Sequence, residues 1–224
     1  MGILKTITEE YFGETVRKED EIDIEGLDVE IVSFTDNNKK YHGIGYKPKD
    51  KDNLKKLLKR MIEVRGNEGD FNDIDTSDIT DMSSLFYKRD GFNGDITGWD
   101  ISKVTNMGNM FCGAKSFNQQ IGGWDVSKVT NMYGMFYNAH SFNQPIGNWN
   151  VSKVINMSGM FINATLFNQP IGNWNVSSVK DMNYMFHYAK SFNQDLSKWN
   201  LTEKYIVDIF RGCPIKDEYI PKMK

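Results

Sequence analysis

Cysteine, histidine and proline are scarce in this sequence, which also lacks long apolar runs and any decisive excess of one charge. The two cysteines, Cys112 and Cys213, stand about a hundred residues apart, which is neither a disulfide framework nor a metal-ligand spacing. Free cysteine most often serves as a small buried hydrophobe, and both are expected to do so here. The three histidines, His42, His140 and His187, share no motif. No Ser-His-Asp order, glycine-rich phosphate loop or H-E-x-x-H helix can be traced, so neither catalysis nor a cofactor or metal is expected. No run reaches the ~20 apolar residues a membrane-crossing helix needs, and membrane insertion is not expected. Glu9, Glu10, Glu14, Glu19 and Asp20 interrupt the N-terminus before the core of a signal peptide could form, so the chain as written reads as cytoplasmic. Met1-Gly2-Ile3-Leu4-Lys5-Thr6 fits the loose N-myristoylation form, a pattern short enough to arise by chance.

Charge is balanced overall and divided along the chain. The net charge is −3; residues 1–90 carry 15 Lys and Arg against 21 Asp and Glu, and residues 91–224 carry 12 against 9. Nucleic-acid binding would need a basic stripe with stacking aromatics. Lys103, Lys128 and Lys153 form only a short column broken at Ser178, so no nucleic-acid partner is expected.

Against these absences stands one abundant feature, a period of 25 residues. Phe92, Phe117, Phe142, Phe167 and Phe192 keep it, as do Trp99, Trp124, Trp149, Trp174 and Trp199. Val104, Val129, Val154 and Val179 follow, then Met107, Met132, Met157 and Met182, and then Phe111, Phe136, Phe161 and Phe186. Ile79, Met82, Leu85 and Phe86 extend the columns backwards, while Ile206, Ile209 and Phe210 echo them forwards, displaced by one residue. Atypical end units are the rule in stacked repeats, because one unit cannot bury its apolar columns alone and the outermost ones need caps. At about 4.8 Å per unit, six units would make a rod of roughly 30 Å.

Within a unit, Ile146 to Val151 alternates apolar and polar residues and reads as a short strand. Ser152 then reads as a helix N-cap, with Val154, Met157, Met160, Phe161 and Ala164 on one helical face. Gly108, Gly134 and Gly159 make that helix poor by propensity. A second short strand from Val154 to Met157 is therefore the alternative. Asn93, Asn118, Asn143, Asn168 and Asn193 could form an amide ladder at the turns, or could simply be exposed there.

Ahead of the array, Ile22-Asp23-Ile24, Val29-Glu30-Ile31-Val32 and Tyr41 to Tyr46 read as strands, with a turn at Asp36-Asn37-Asn38. Lys51 to Val64 reads as an amphipathic helix that caps the repeat. The organisation expected is thus a β-hairpin element over residues 1–50, a capping helix over 51–70, the repeat over 71–212 and a tail over 213–224. Asp70, Asp73, Asp75, Asp78 and Asp81 cluster before the first unit without the spacing of a calcium loop. They read as solvated carboxylates and helix caps.

Phe117-Asn118, Ile121, Trp124-Asp125-Val126-Ser127, Val129, Asn131-Met132 and Met135-Phe136, repeated in the other central units, resemble the BspA-like leucine-rich-repeat family. The likeness extends over about Asp52 to Gly212. It implies an α/β fold, a right-handed leucine-rich-repeat-like solenoid of 25-residue strand-helix units. Similar proteins are often found on bacterial surfaces, where they are thought to mediate adhesion or protein contacts, and the family prescribes no catalytic residues. The function expected is a non-catalytic module that binds a protein, with a carbohydrate- or surface-binding adhesin as the alternative. Tyr133, Tyr137, Tyr184 and Tyr188, where the units differ, are the candidate contacts, because tyrosine is enriched at binding hot spots. If the other face binds, Asp100, Asp125, Asn150, Asn175 and Asn200 would carry the contacts.

Overall fold

Strands β1 (Val29–Asp36) and β2 (Tyr41–Pro48) pair antiparallel, from Val29 opposite Pro48 to Asp36 opposite Tyr41. The computed structural model describes residues 22–36, 41–201 and 207–222, without the side chains of 33–36 and 41–44. The N-terminal myristoylation pattern, most of the expected Asp36-Asn37-Asn38 turn, the side chain of His42 and Ile206 therefore lie outside the described residues. Both hairpin strands fall where the sequence predicts them. Ile22-Asp23-Ile24 instead forms no strand. Ile22 is fully buried, and the Asp23 and Glu25 carbonyls accept hydrogen bonds from the Arg60 guanidinium rather than from a neighbouring strand.

Helix α1 (Lys51–Arg65) begins where Asp50 caps it, the carboxylate accepting the Asn53 amide at 2.9 Å, and ends at Gly66 with φ 76°. Leu54, Leu57, Leu58, Met61 and Ile62 recur at three- and four-residue intervals and are buried together. Polar contacts fix the two ends of this helix against the start of the repeat. Lys51 reaches Asp81 and Ser83, and Arg65 forks onto Asp73 with two 2.7 Å bonds.

The repeat comprises units beginning at Phe71, Phe92, Phe117, Phe142, Phe167 and Phe192, numbered one to six below. Their Phe, Trp and Met columns are buried, save for Phe210 at the far end, which is half-buried. Phe111, Phe136 and Phe161 stack at ring-centroid distances of 5.7 and 5.6 Å, and each also lies against the next unit's first Phe at 3.8 to 4.0 Å. This is the column-wise burial that the period predicts.

Backbone inside each unit departs from the strand-then-helix reading. No α-helix is present among the described residues of the units; the stretch from Met157 to Ala164 is a run of tandem turns. Amides there alternate between two kinds of acceptor. Met157, Gly159, Phe161 and Asn163 donate to Asp181, Asn183, Met185 and His187 of the next unit, whereas Met160, Ile162 and Ala164 donate three residues back, to Met157, Gly159 and Phe161. A three-residue turn repeated in this way also points every third or fourth side chain inward, which explains why a helical spacing was legible without a helix. Two residues per unit adopt positive φ, such as Gly159 at 62° and Asn163 at 54°. Glycine and asparagine tolerate that geometry, so the glycines that look helix-breaking are what the turns require.

The expected strand is also displaced. Trp149 and Val151 are buried and Asn150 is exposed, as the alternation predicts, yet the Trp149 amide donates to Ile146 of its own unit and Val154 to Val151. Contact between units occurs a few residues later, through single parallel bridges that run Asp81, Asn106, Asn131, Asn156, Asp181. Ser152 is not a helix cap; its amide closes a turn on the Asn150 side-chain oxygen at 3.2 Å.

The amide ladder is formed. The Asn118, Asn143, Asn168 and Asn193 amides each donate at 2.9 Å to the side-chain oxygen of the Asn one unit earlier, and Gln119, Gln144, Gln169 and Gln194 donate to the carbonyls of those same residues. At the far end, Lys216 donates to Asn193 and Leu196 donates to Tyr219, so the tail packs on the sixth unit. Both cysteines are free and only half-buried, against the expectation of full burial; burial pushes the Cys213 thiol up to about 11.

The carboxylate cluster joins hairpin, helix and repeat. Asp78 takes Lys103 at 2.6 Å and Lys47 at 2.7 Å, and these two hydrogen-bonded ammonium groups lower its carboxyl to about 2. Asp75 and Asp81 serve the Ser77 and Ser83 amides, as turn caps rather than helix caps. Among the described residues no group of His, Cys, Asp and Glu is arranged to hold a metal ion. Because the folded pKa of Asp78 is depressed, its contribution to stability is complete above about pH 4 and disappears as the pH falls towards 2. Asp78→Asn should therefore melt below the parent at pH 6, with the gap closing between about pH 4 and 2. A gap unchanged at about pH 2 would show that Asp78 acts by packing alone.

Candidate binding surface

The tandem turns of successive units line up into a ridge, comprising residues 83–90, 108–115, 133–140, 158–165, 183–190 and 208–212. Its inward residues, Phe111 and Phe136 among them, are consumed by the core, so only the remaining columns reach solvent. Tyr133, Tyr137, Tyr184 and Tyr188 all do, with exposures of 47, 37, 39 and 44%. They ride on turns, not on the helical segment the spacing suggested, because the ladder between units fixes each alternate amide.

Tyr133 and Tyr137 belong to the third unit, and Tyr184 and Tyr188 to the fifth. Between them the fourth unit presents Ser158, Gly159, Ile162 and Asn163 in the corresponding columns. Two aromatic pairs, about 10 Å apart at the spacing of stacked chains, thus flank a strip of smaller side chains. Two exposed residues were not singled out from the sequence. Tyr87, 45% exposed, shares the Tyr137 column, a signal that was available, and Leu166, 55% exposed, borders the strip.

The fifth unit keeps the backbone of the others but sets tyrosines on it. Tyr184 and Tyr188 have φ of 60° and 55° at the two positions that Asn109, Gly134 and Gly159, or Gly113, Asn138 and Asn163, occupy in units two to four; Ser84 and Lys88 hold them in the first unit, at 60° and 55°. A bulky side chain in that region costs about 1–2 kcal/mol, which asparagine and glycine largely avoid. His187, in the column of Cys112, Tyr137 and Ile162, is half-buried between the two tyrosines. Its ring meets Tyr184 edge-on at 5.7 Å and Tyr188 at 4.4 Å, and its Nδ1 is buried without a hydrogen-bond partner. Gly212 makes room for Tyr188, since a Cβ there would lie 2.3 Å from the ring. Replacing Tyr188 with asparagine, the residue of units three and four, should raise unfolding free energy by about 1 kcal/mol in urea titration. A fall of that size would mean that ring contacts outweigh the backbone strain.

The other proposed face is occupied by structural work. Asp100, Asp125, Asn150 and Asn175 are exposed, yet each gives a side-chain oxygen to the amide two residues on, and Asn200 is exposed beside them. No helix among the described residues is long and apolar enough to cross a membrane.

No curated protein matches this chain. No solved structure matches it either. The family described as Mycoplasma protein of unknown function, DUF285, matches residues 52–164 and again residues 144–214. Those two spans take in almost all of helix α1, every repeat unit and the ridge, well over half of the sequence, and the chain belongs to the DUF285 family.

Proposed function

We propose that this chain is a non-catalytic binding module, a right-handed solenoid of the BspA-like kind that holds a protein on its tyrosine-bearing ridge. The observation that carries this reading is the concentration of exposed apolar side chains there. Tyr87, Tyr133, Tyr137, Tyr184 and Tyr188 account for five of the nine large exposed hydrophobics among the described residues, with Leu166 at the border, although the ridge is only one side of the array. Aromatic side chains of this sort bring large contact area at low entropic cost. The glycan alternative draws less support, because the amides it would use are engaged with one another along the Asn and Gln ladder.

The test exchanges the four tyrosines for the fourth unit's residues in the same columns, Tyr133→Ser, Tyr137→Ile, Tyr184→Gly and Tyr188→Asn, which the turns accommodate elsewhere. Parent and variant are immobilised and challenged with extract of the cells that make the protein. A polypeptide retained by the parent and lost by the equally folded variant supports the reading. If every retained protein survives the exchange, or only glycans on an array are held, the ridge is not a protein-binding site.

A further inference from the structure

The ridge's charge goes further than its apolar content and specifies a chemistry for the partner. Its six segments contain Lys88, Arg89, Lys115, Lys190 and Arg211 against Asp90 and Asp208, five cations to two carboxylates. Both carboxylates are already engaged, Asp90 with Lys115 at 2.6 Å and Asp208 with Arg211 at 3.5 Å, in pairs open to solvent. Lys190, beside the strained tyrosine pair, is exposed and has no carboxylate partner among the described residues. Lys88 lies over the Tyr87 ring at 5.2 Å and also lacks one. At the foot of the fifth turn, Lys180 and Asp181 offset one another in charge, and the Asp181 carboxylate accepts the Asn183 amide at 3.0 Å. The ridge therefore offers unmatched positive charge and no free negative charge.

Bulky rings held at strained positions locate the anchor on this ridge, since the first unit carries Ser84 and Lys88 at the same φ without a ring cluster. Positive φ at two tyrosines in one unit opposes folding, and such strain persists where a side chain is needed at that spot. Tyr184, His187 and Tyr188 form one ring cluster there, with Lys190 two residues on and Arg211 on the adjoining chain, whose carbonyl takes the Tyr188 amide at 2.8 Å.

On the reading that the ridge binds a protein, we infer that the element it takes is an extended acidic peptide. The peptide backbone crosses the strip at Ser158 and Gly159, its apolar side chains lie against the tyrosine pairs, and its carboxylates face Lys190 and Lys88, together with Arg211, whose solvent-open pair with Asp208 leaves guanidinium donors to share. Opposite charge steers such an encounter and rejects basic segments, while the aromatic contacts hold the complex once formed.

Fluorescent poly(Glu,Tyr) and poly(Lys,Tyr) random copolymers are suitable probes, with fluorescence anisotropy read at low salt and at about 0.3 M salt. The parent should bind the acidic copolymer at least tenfold more tightly than the basic one, and more weakly as salt rises. Tyr184→Gly with Tyr188→Asn, and separately Lys190→Gln with Arg211→Gln, should each weaken it about tenfold or more. Lys128→Gln with Lys153→Gln, in the lysine column away from the ridge, removes the same charge and should leave binding within about twofold. Equal loss in that control pair would reduce the effect to net charge and overturn the inference. Binding of the basic copolymer, or of a neutral Tyr-containing peptide, that still depends on the tyrosines would overturn the acidic chemistry and leave the ridge standing. If no probe responds to the tyrosine exchanges, both readings fail.

Discussion

Phe136→Ala should lower the unfolding free energy by about 3–5 kcal/mol, the largest single-residue effect expected of this chain. Phe136 is fully buried and stacks on rings from the two adjoining units: Phe111 at 5.7 Å on one side, and Phe142 at 3.9 Å, Trp149 at 6.4 Å and Phe161 at 5.6 Å on the other. Its loss leaves a cavity that the neighbours cannot close, because the turns that carry Phe111 and Phe161 are hydrogen-bonded to the units on either side. Stability in a stacked array is close to a sum of unit and interface contributions, so a defect in the third unit weakens two interfaces at once. Phe210 occupies the same column at the end of the stack, is only half-buried, and touches a single ring, Phe186 at 5.8 Å. Phe210→Ala should therefore cost less than half as much. Urea titrations of the two variants decide the matter; equal losses would mean that the ring stack does not transmit stability along the array.

That contrast between middle and end could be foreseen from sequence, since it depends on columns alone. Side-chain burial repeats every 25 residues whatever the backbone does, and the Phe, Trp and Met positions were legible for that reason. The backbone path was not. Val154, Met157, Met160, Phe161 and Ala164 satisfy a helical face and a series of tandem turns equally well, because both conformations return a side chain inward after three or four residues. The distinguishing signal was present in other columns: Asn109, Gly134 and Gly159, and Gly113, Asn138 and Asn163, are the residue types that accept positive φ, and they recur four apart in units two to four. The candidate tyrosines were legible because they interrupt these regular columns. Their backbone strain was not, since it arises from hydrogen bonds between units that a single unit does not reveal. His187 was missed as a participant because its column also holds Cys112, Tyr137 and Ile162, and only coordinates show it wedged between Tyr184 and Tyr188.

Gly147→Ala tests the other constraint that stacking imposes, the close approach of one unit's backbone to the next. A Cβ on Gly147 would lie 2.4 Å from the Pro170 carbonyl oxygen, and the equivalents Gly122 and Gly172 would meet Pro145 and Asp195 at 2.2 Å. The obstructing atom in each case is backbone, so no side-chain rotation relieves the clash, and Gly147 has an ordinary negative φ that would otherwise suit alanine. On propensity alone the substitution should stabilise by a few tenths to 1 kcal/mol through a less flexible unfolded chain. Steric overlap reverses the sign, and a loss of about 1–3 kcal/mol is expected, as for other overpacked sites. Gly123, only one residue from Gly122, has no atom within 4 Å of its virtual Cβ, so Gly123→Ala should be neutral or slightly stabilising. The two alanines therefore separate contact between units from local flexibility. Destabilisation by Gly147→Ala alone means that the stack is as tight at its turns as at its rings, whereas parity of the two would mean that adjacent units can slide apart there without cost.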